Sequence, residues 1–204
     1  MKLIGIKFKK NMKTDYELFR VNGIPVSISL WFLLLLPMTG FSLTIFVSVF
    51  VSVLVHELGH ALTAQHLGYR TYGINIGLFF GSASVDSNMH TRDNMKVVAA
   101  GPLSNLLLFI IGSLLGLDQF ANINMFLFIF NILPIYPMDG GHLFKDFLML
   151  NMNNRRKAFE ISMVVSLVTS VFLLIFSFLS GSLVIGILSI IFGYFALKEL
   201  GYIK

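Results

Sequence analysis

Cysteine is absent from the 204-residue chain, which excludes disulfides and removes thiolates from any metal site it could build. Charge is scarce. Only 12% of the residues are Asp, Glu, Lys or Arg, about half the share of a soluble domain. With 56% hydrophobic residues, this excludes an ordinary soluble globule and points to an all-α polytopic membrane protein. There is no internal repeat and no low-complexity tract. The basic stretch Met1 to Lys13 lacks an apolar run ending in a small-residue cleavage site, so no removable signal peptide is expected. The net charge of +5 does not imply a nucleic-acid partner, because the basic residues flank apolar segments rather than gather on a soluble face.

What is present is a series of six apolar runs, at 21–38, 41–67, 95–117, 119–133, 158–179 and 182–197. The first and fourth are short for a full crossing of about 20 residues. With these spans, the loops at Thr39–Gly40, near Asp118 and at Ser180–Gly181 carry no Lys or Arg, and all 15 basic residues fall on the other side or at its membrane edge. The positive-inside rule then puts both termini in the cytoplasm, which requires an even number of spans. Between the second and third runs, Tyr72, Ile74, Ile76 and Leu78 alternate with smaller or polar residues, and Gly77 and Gly81 interrupt. This predicts a β-ribbon on the cytoplasmic side, with a surface loop as the plainer alternative.

Near the end of the second run stands His56-Glu57-Leu58-Gly59-His60. Residues four apart project from one helix face, so both imidazoles can hold one zinc ion, with Glu57 beside them as general base. Ionisable groups at membrane depth are costly and mark function. The plainer reading, a polar knot between helices, would not need this spacing. A catalytic zinc takes three protein ligands and keeps one position open. His66 lies too far along the helix to share the ion. Asp139 follows the fourth run, where Pro134 and Pro137 break the helix and Gly140–Gly141 permit a tight turn. Asp139 is the expected third ligand and His142 the next candidate; as a plainer role, Asp139 would cap a helix starting near Gly141. The chemistry such a site supports is hydrolysis of a peptide bond within the membrane. Asn105, an amide inside the third run, would brace the metal site or another span.

The chain resembles the site-2 protease family of intramembrane metalloproteases, nearest the sporulation-type and archaeal branch without a PDZ domain. The residues that carry the likeness are HELGH at 56–60, AGPLSN at 100–105 and NILPIYPMDGG at 131–141. The resemblance implies a basic N-terminal segment at 1–20, a membrane core at 21–147 with a three-helix catalytic centre, and two added spans at 148–204. It implies zinc held by His56, His60 and Asp139, with Glu57 as the base. It also implies substrate contacts from Asn131 and from the ribbon at Gly81 and Ser82, although the family's paired glycines are replaced here by Phe80-Gly81-Ser82-Ala83. The partners implied are the lipid bilayer, a membrane-anchored protein substrate cut in regulated intramembrane proteolysis, and a regulatory membrane partner. No PDZ-like insertion or CBS-like domain is expected. The rival readings are a catalytically silent zinc-binding adaptor, a zinc transporter, and a prenyl-protein protease, whose third ligand would be a downstream glutamate.

Overall fold

A computed structural model describes residues 15–38, 40–77 and 81–203. Residues 1–14 of the basic segment expected at 1–20, Thr39 of the first expected loop, residues 78–80 of the expected ribbon and Lys204 lie outside the described residues. Backbone contacts divide the chain into two units, one running to Phe128 and one starting at Ile129.

In the first unit, strands β1 (Asp15–Val21) and β2 (Ile24–Ser29) pair antiparallel, β2 pairs parallel with β3 (Thr71–Ile76), and β3 pairs antiparallel with β4 (Gly81–Val85). The order β1-β2-β3-β4 leaves β4 on one edge. Asn22 and Gly23 both have positive φ, 49° and 78°, the Asn-Gly conformation that closes a two-residue hairpin. After β2 come a 3₁₀ turn (Leu30–Leu34) and the single-turn α1 (Leu35–Met38). The expected membrane helix at 21–38 is therefore corrected. Alternating Ile24, Val26 and Ile28 lay one face of β2 against a core shared with Ala61, Ile74 and Ile76, so a period of two prevails over helix formation. The expected two-stranded ribbon is likewise one half of a four-stranded sheet.

Helix α2 (Leu43–His66) starts where the Ser42 hydroxyl accepts from the Ile45 N–H at 3.4 Å. Its C-terminal part underlies the sheet, while Phe32 packs on Phe46 and Phe50 near its start, with ring centroids 5.2 and 5.8 Å away. Residues 30–38 thus run along α2 without forming a long helix. Helix α3 (Thr91–Leu114) lies against α2, and α4 (Asp118–Ile132) follows.

The second unit contains α5 (Asp139–Asn151), α6 (Arg155–Ser180) and α7 (Leu183–Glu199). Its core gathers Ile135, Met138 and Phe192 with Phe130, Leu173 and Leu188 around them. The α6–α7 seam uses small residues: a Cβ on Gly186 would stand 2.6 Å from Ser177 Oγ. Buried Ser170 and Ser189 return their hydroxyls to the helix carbonyls of Ser166 and Gly186, so the seam leaves those hydroxyls satisfied.

Among the described residues, α2, α3 and α6 are long and apolar enough to cross a membrane. They present large apolar side chains such as Leu107, Ile110 and Phe172 outward, as a lipid-facing surface requires. The fourth and sixth expected spans fall on the shorter helices α4 and α7.

Candidate metal centre

Helix α2 buries His56, Glu57 and His60. The pair owes its exposure to one another to the four-residue spacing and its orientation to α3. His56 Nδ1–H donates to Asn105 Oδ1 at 2.6 Å, and His60 Nδ1–H donates to the Val97 carbonyl at 2.8 Å. Both acceptors are oxygens that can only accept in these bonds, so both rings carry their proton on Nδ1 and turn a lone pair outward at Nε2. The two Nε2 atoms lie 3.1 Å apart. Two lone pairs this close repel unless a cation lies between them. Nitrogens ~2.0–2.1 Å from one tetrahedral zinc stand ~3.3 Å apart, so the pair fits that ion.

The helix contact that builds this arrangement depends on missing side chains. A Cβ on Gly101 would run into the His60 imidazole and come 2.8 Å from His56 Nε2. One on Gly59 would strike Ser104 Oγ and come 2.7 Å from the Ala100 carbonyl. The HELGH and AGPLSN motifs are thus the two sides of one close helix contact. Asn105 is fully buried and fully used: Nδ2–H donates to the Ser52 carbonyl at 3.2 Å and to Asn124 Oδ1 at 3.0 Å, while Oδ1 takes the His56 proton. It braces a histidine and ties α3 to α2 and α4 together.

Gly81 opens edge strand β4 directly against Glu57; a Cβ there would stand 2.6 Å from Glu57 Cγ. Ser82 is the next residue of the strand, and Asn131 lies in the last turn of α4.

In the second unit Asp139 occupies the first turn of α5, where Met138 is the cap residue. It is not the cap itself, yet a carboxylate in a first turn is favoured by the helix dipole. Gly140 and Gly141 let that turn press on the preceding backbone: a Cβ on Gly140 would overlap the Ile132 and Leu133 carbonyls, and one on Gly141 would meet Ile135. The Tyr136–Pro137 peptide is cis. His142 stacks edge-on against Tyr136 and faces Lys145 Nζ at 3.4 Å. His66 and His90 are exposed. The first unit thus offers two imidazole nitrogens, from His56 and His60, and the second unit a carboxylate, from Asp139, of the kinds that a metal ion takes. Two imidazoles and a carboxylate are hard-to-borderline donors suited to Zn²⁺.

Two features were not apparent in the sequence. Asn124 looks like a stray amide in an apolar run, and its only signal is that it needs a partner. Lys145 is wholly buried beside Asp146, with Nζ 3.5 Å from Oδ1. Burial pushes the Lys145 ammonium below the ordinary lysine range, while Asp146 and Glu199 hold it up.

The family model "Peptidase family M50" matches residues 115–176. The zinc metalloprotease MJ0392 of Methanocaldococcus jannaschii is 28% identical over 92% of this chain and 61% of its own length. Stage IV sporulation protein FB of Bacillus subtilis is 30% identical over 43% of this chain and 34% of its own length. The chain therefore spans less than two thirds of these curated relatives. The solved site-2 protease from Methanocaldococcus jannaschii superposes with a TM-score of 0.67 at 25% identity, covering 91% of this chain and 94% of that one. With two imidazoles and a carboxylate as donors suited to the zinc that the first of these relatives carries in its name, the chain is similar in sequence and in fold to the site-2 proteases of the M50 peptidases.

Proposed function

We propose that this protein is an intramembrane zinc endopeptidase that cuts transmembrane segments of membrane-anchored proteins, with His56, His60 and Asp139 holding the ion and Glu57 as general base. The observation that carries the reading is the facing pair of Nε2 lone pairs, each fixed by an Nδ1–H bond, beside a buried glutamate. Zinc bound in such a site supplies Lewis acidity, lowering the pKa of water to about 7 and polarising a carbonyl.

The chain's own residues do the rest. Glu57 takes a proton as the water oxygen bonds to the scissile carbonyl carbon. It returns that proton to the amide nitrogen as the C–N bond breaks, leaving a carboxylic acid and an amine. A helical peptide bond is shielded by its own hydrogen bonds, so the substrate must first be extended. Edge strand β4 offers its unpaired backbone groups beside Glu57, and an unwound segment would add there as a further strand. Gly81 and Ser82 would line that strand, and Asn131 would hold the segment from α4. The catalytic core is assigned to residues 21–147.

Basic-residue bias supports a cytoplasmic location for both termini, with the apolar segment that contains residues 30–38 serving as the first crossing. The expected physiological role is regulated intramembrane proteolysis, with control exerted by a membrane partner or by prior trimming of the substrate. The test compares membrane proteomes of cells carrying wild-type protein and Glu57→Gln. Membrane-anchored fragments that accumulate only with the variant identify the substrate. Identical proteomes point instead to a silent adaptor, and zinc uptake into proteoliposomes points to a transporter.

A further inference from the structure

Asn105 can brace His56 only if its amide faces the right way, and its own geometry does not ensure that. Rotating the amide by half a turn would aim Nδ2–H at His56 Nδ1 and force the imidazole proton onto Nε2, the atom that must accept a metal. Two acceptors on the far side of the amide decide the matter. One is the Ser52 carbonyl, at 3.2 Å, and the other is Asn124 Oδ1, at 3.0 Å. Asn124 is itself oriented, because its Nδ2–H donates to the Phe120 carbonyl at 2.9 Å. That carbonyl cannot donate, so Asn124 Oδ1 has to face Asn105. Asn105 and Asn124 have no solvent exposure, and no water competes for either amide. The polarity runs one way along Phe120 carbonyl, Asn124, Asn105 and His56 Nδ1.

We infer that Asn124 of α4 is a positioning residue for the metal centre: through Asn105 it locks His56 in the Nδ1–H tautomer that presents Nε2 to zinc. The inference rests on His56 as a zinc ligand. It adds a residue that lies in none of the three motifs and touches neither the ion nor the histidines. The amide of Asn124, unlike a merely packed side chain, acts through the direction of its dipole.

Zinc affinity of the solubilised full-length protein, measured by chelator competition, tests this. Asn124→Leu is expected to weaken binding by about tenfold or more, the range for lost outer-shell partners. Asn124→Asp is expected to stay within about threefold, since a buried neutral carboxylic acid keeps one acceptor and one donor in the same places. Ala121→Gly, one turn away on the same helix and also buried, should lower thermal stability without weakening zinc. Asn105→Leu with Asn124→Leu should be no worse than Asn105→Leu alone, because the two act in series. Unchanged affinity in Asn124→Leu, or additive losses in the double variant, overturns the inference. A second measurement keeps it separate from the metal assignment. In metal-free protein at a pH where imidazoles are neutral, ¹⁵N shifts report the His56 tautomer. Nδ1–H in the wild type and a mixture in Asn124→Leu support the lock even if the protein binds no zinc; an identical tautomer in both overturns it.

Discussion

Gly81 sits so close to Glu57 that the smallest side chain would stand 2.6 Å from the Glu57 Cγ atom. The strand edge and the buried carboxylate therefore share one small space. Gly81→Ala should displace either the strand or the carboxylate. A shift of about 1 Å costs roughly 100-fold in rate. Peptide cleavage should fall by about that factor while zinc content stays at the wild-type level, as checked by a reconstituted cleavage assay alongside elemental analysis.

Glu57→Gln keeps the shape and removes the carboxylate proposed as the base. Hydrolysis should drop by about 10²–10⁴-fold, the usual worth of general acid–base catalysis, with zinc retained. Loss of zinc in this variant would move Glu57 from base to ligand.

Asp139→Ala and His142→Ala separate the two candidates for the third ligand. The first should abolish stoichiometric zinc under mild chelation; the second should leave it bound, because His142 is engaged with Tyr136 and Lys145. Glu160→Ala is a control for the prenyl-protease reading and should also leave zinc in place; Glu160 instead accepts an exposed hydrogen bond from Arg156 at 2.9 Å.

Tyr136 lies outside the long helices, and burial followed by the nearby Glu199 charge pushes its phenol up to about 12. The folded value exceeds the unfolded one, so this contribution to stability is complete below the ordinary tyrosine pKa of about 10 and is lost as pH rises through about 12. A spectrophotometric titration should show one late-ionising tyrosine that disappears in Tyr136→Phe.

Gly59→Val should cost about 1–3 kcal/mol or more by overpacking the α2–α3 contact. Thermal unfolding in detergent reads the loss directly, and Leu103→Val on the exposed side of α3 should change little.

The site was more legible in the sequence than the fold around it. HELGH announced itself because two histidines and a glutamate in an apolar helix have no bland use at that spacing. The proline and glycine pairs around Asp139 marked a chain that stops, turns and restarts, which α5 bears out. The run at 21–38 misled because apolar content alone cannot separate a buried strand from a membrane helix. Asn22–Gly23 was the hairpin signal, and the alternation of Ile24, Val26 and Ile28 was the strand signal; both were masked by the apolar residues that follow. Partners supplied by backbone could not be read at all. Nothing in the sequence says that the carbonyl of Val97 orients His60, or that Asn124 reaches Asn105, since both depend on where α3 and α4 come to rest.

The contact of Gly59 with Ala100 and Ser104 also governs motion. Helices cinched backbone to backbone behave as one strut, so no incoming helix can wedge between α2 and α3. Under the proposed function, a doorway for a substrate would open along some other flank and leave the histidine pair in place.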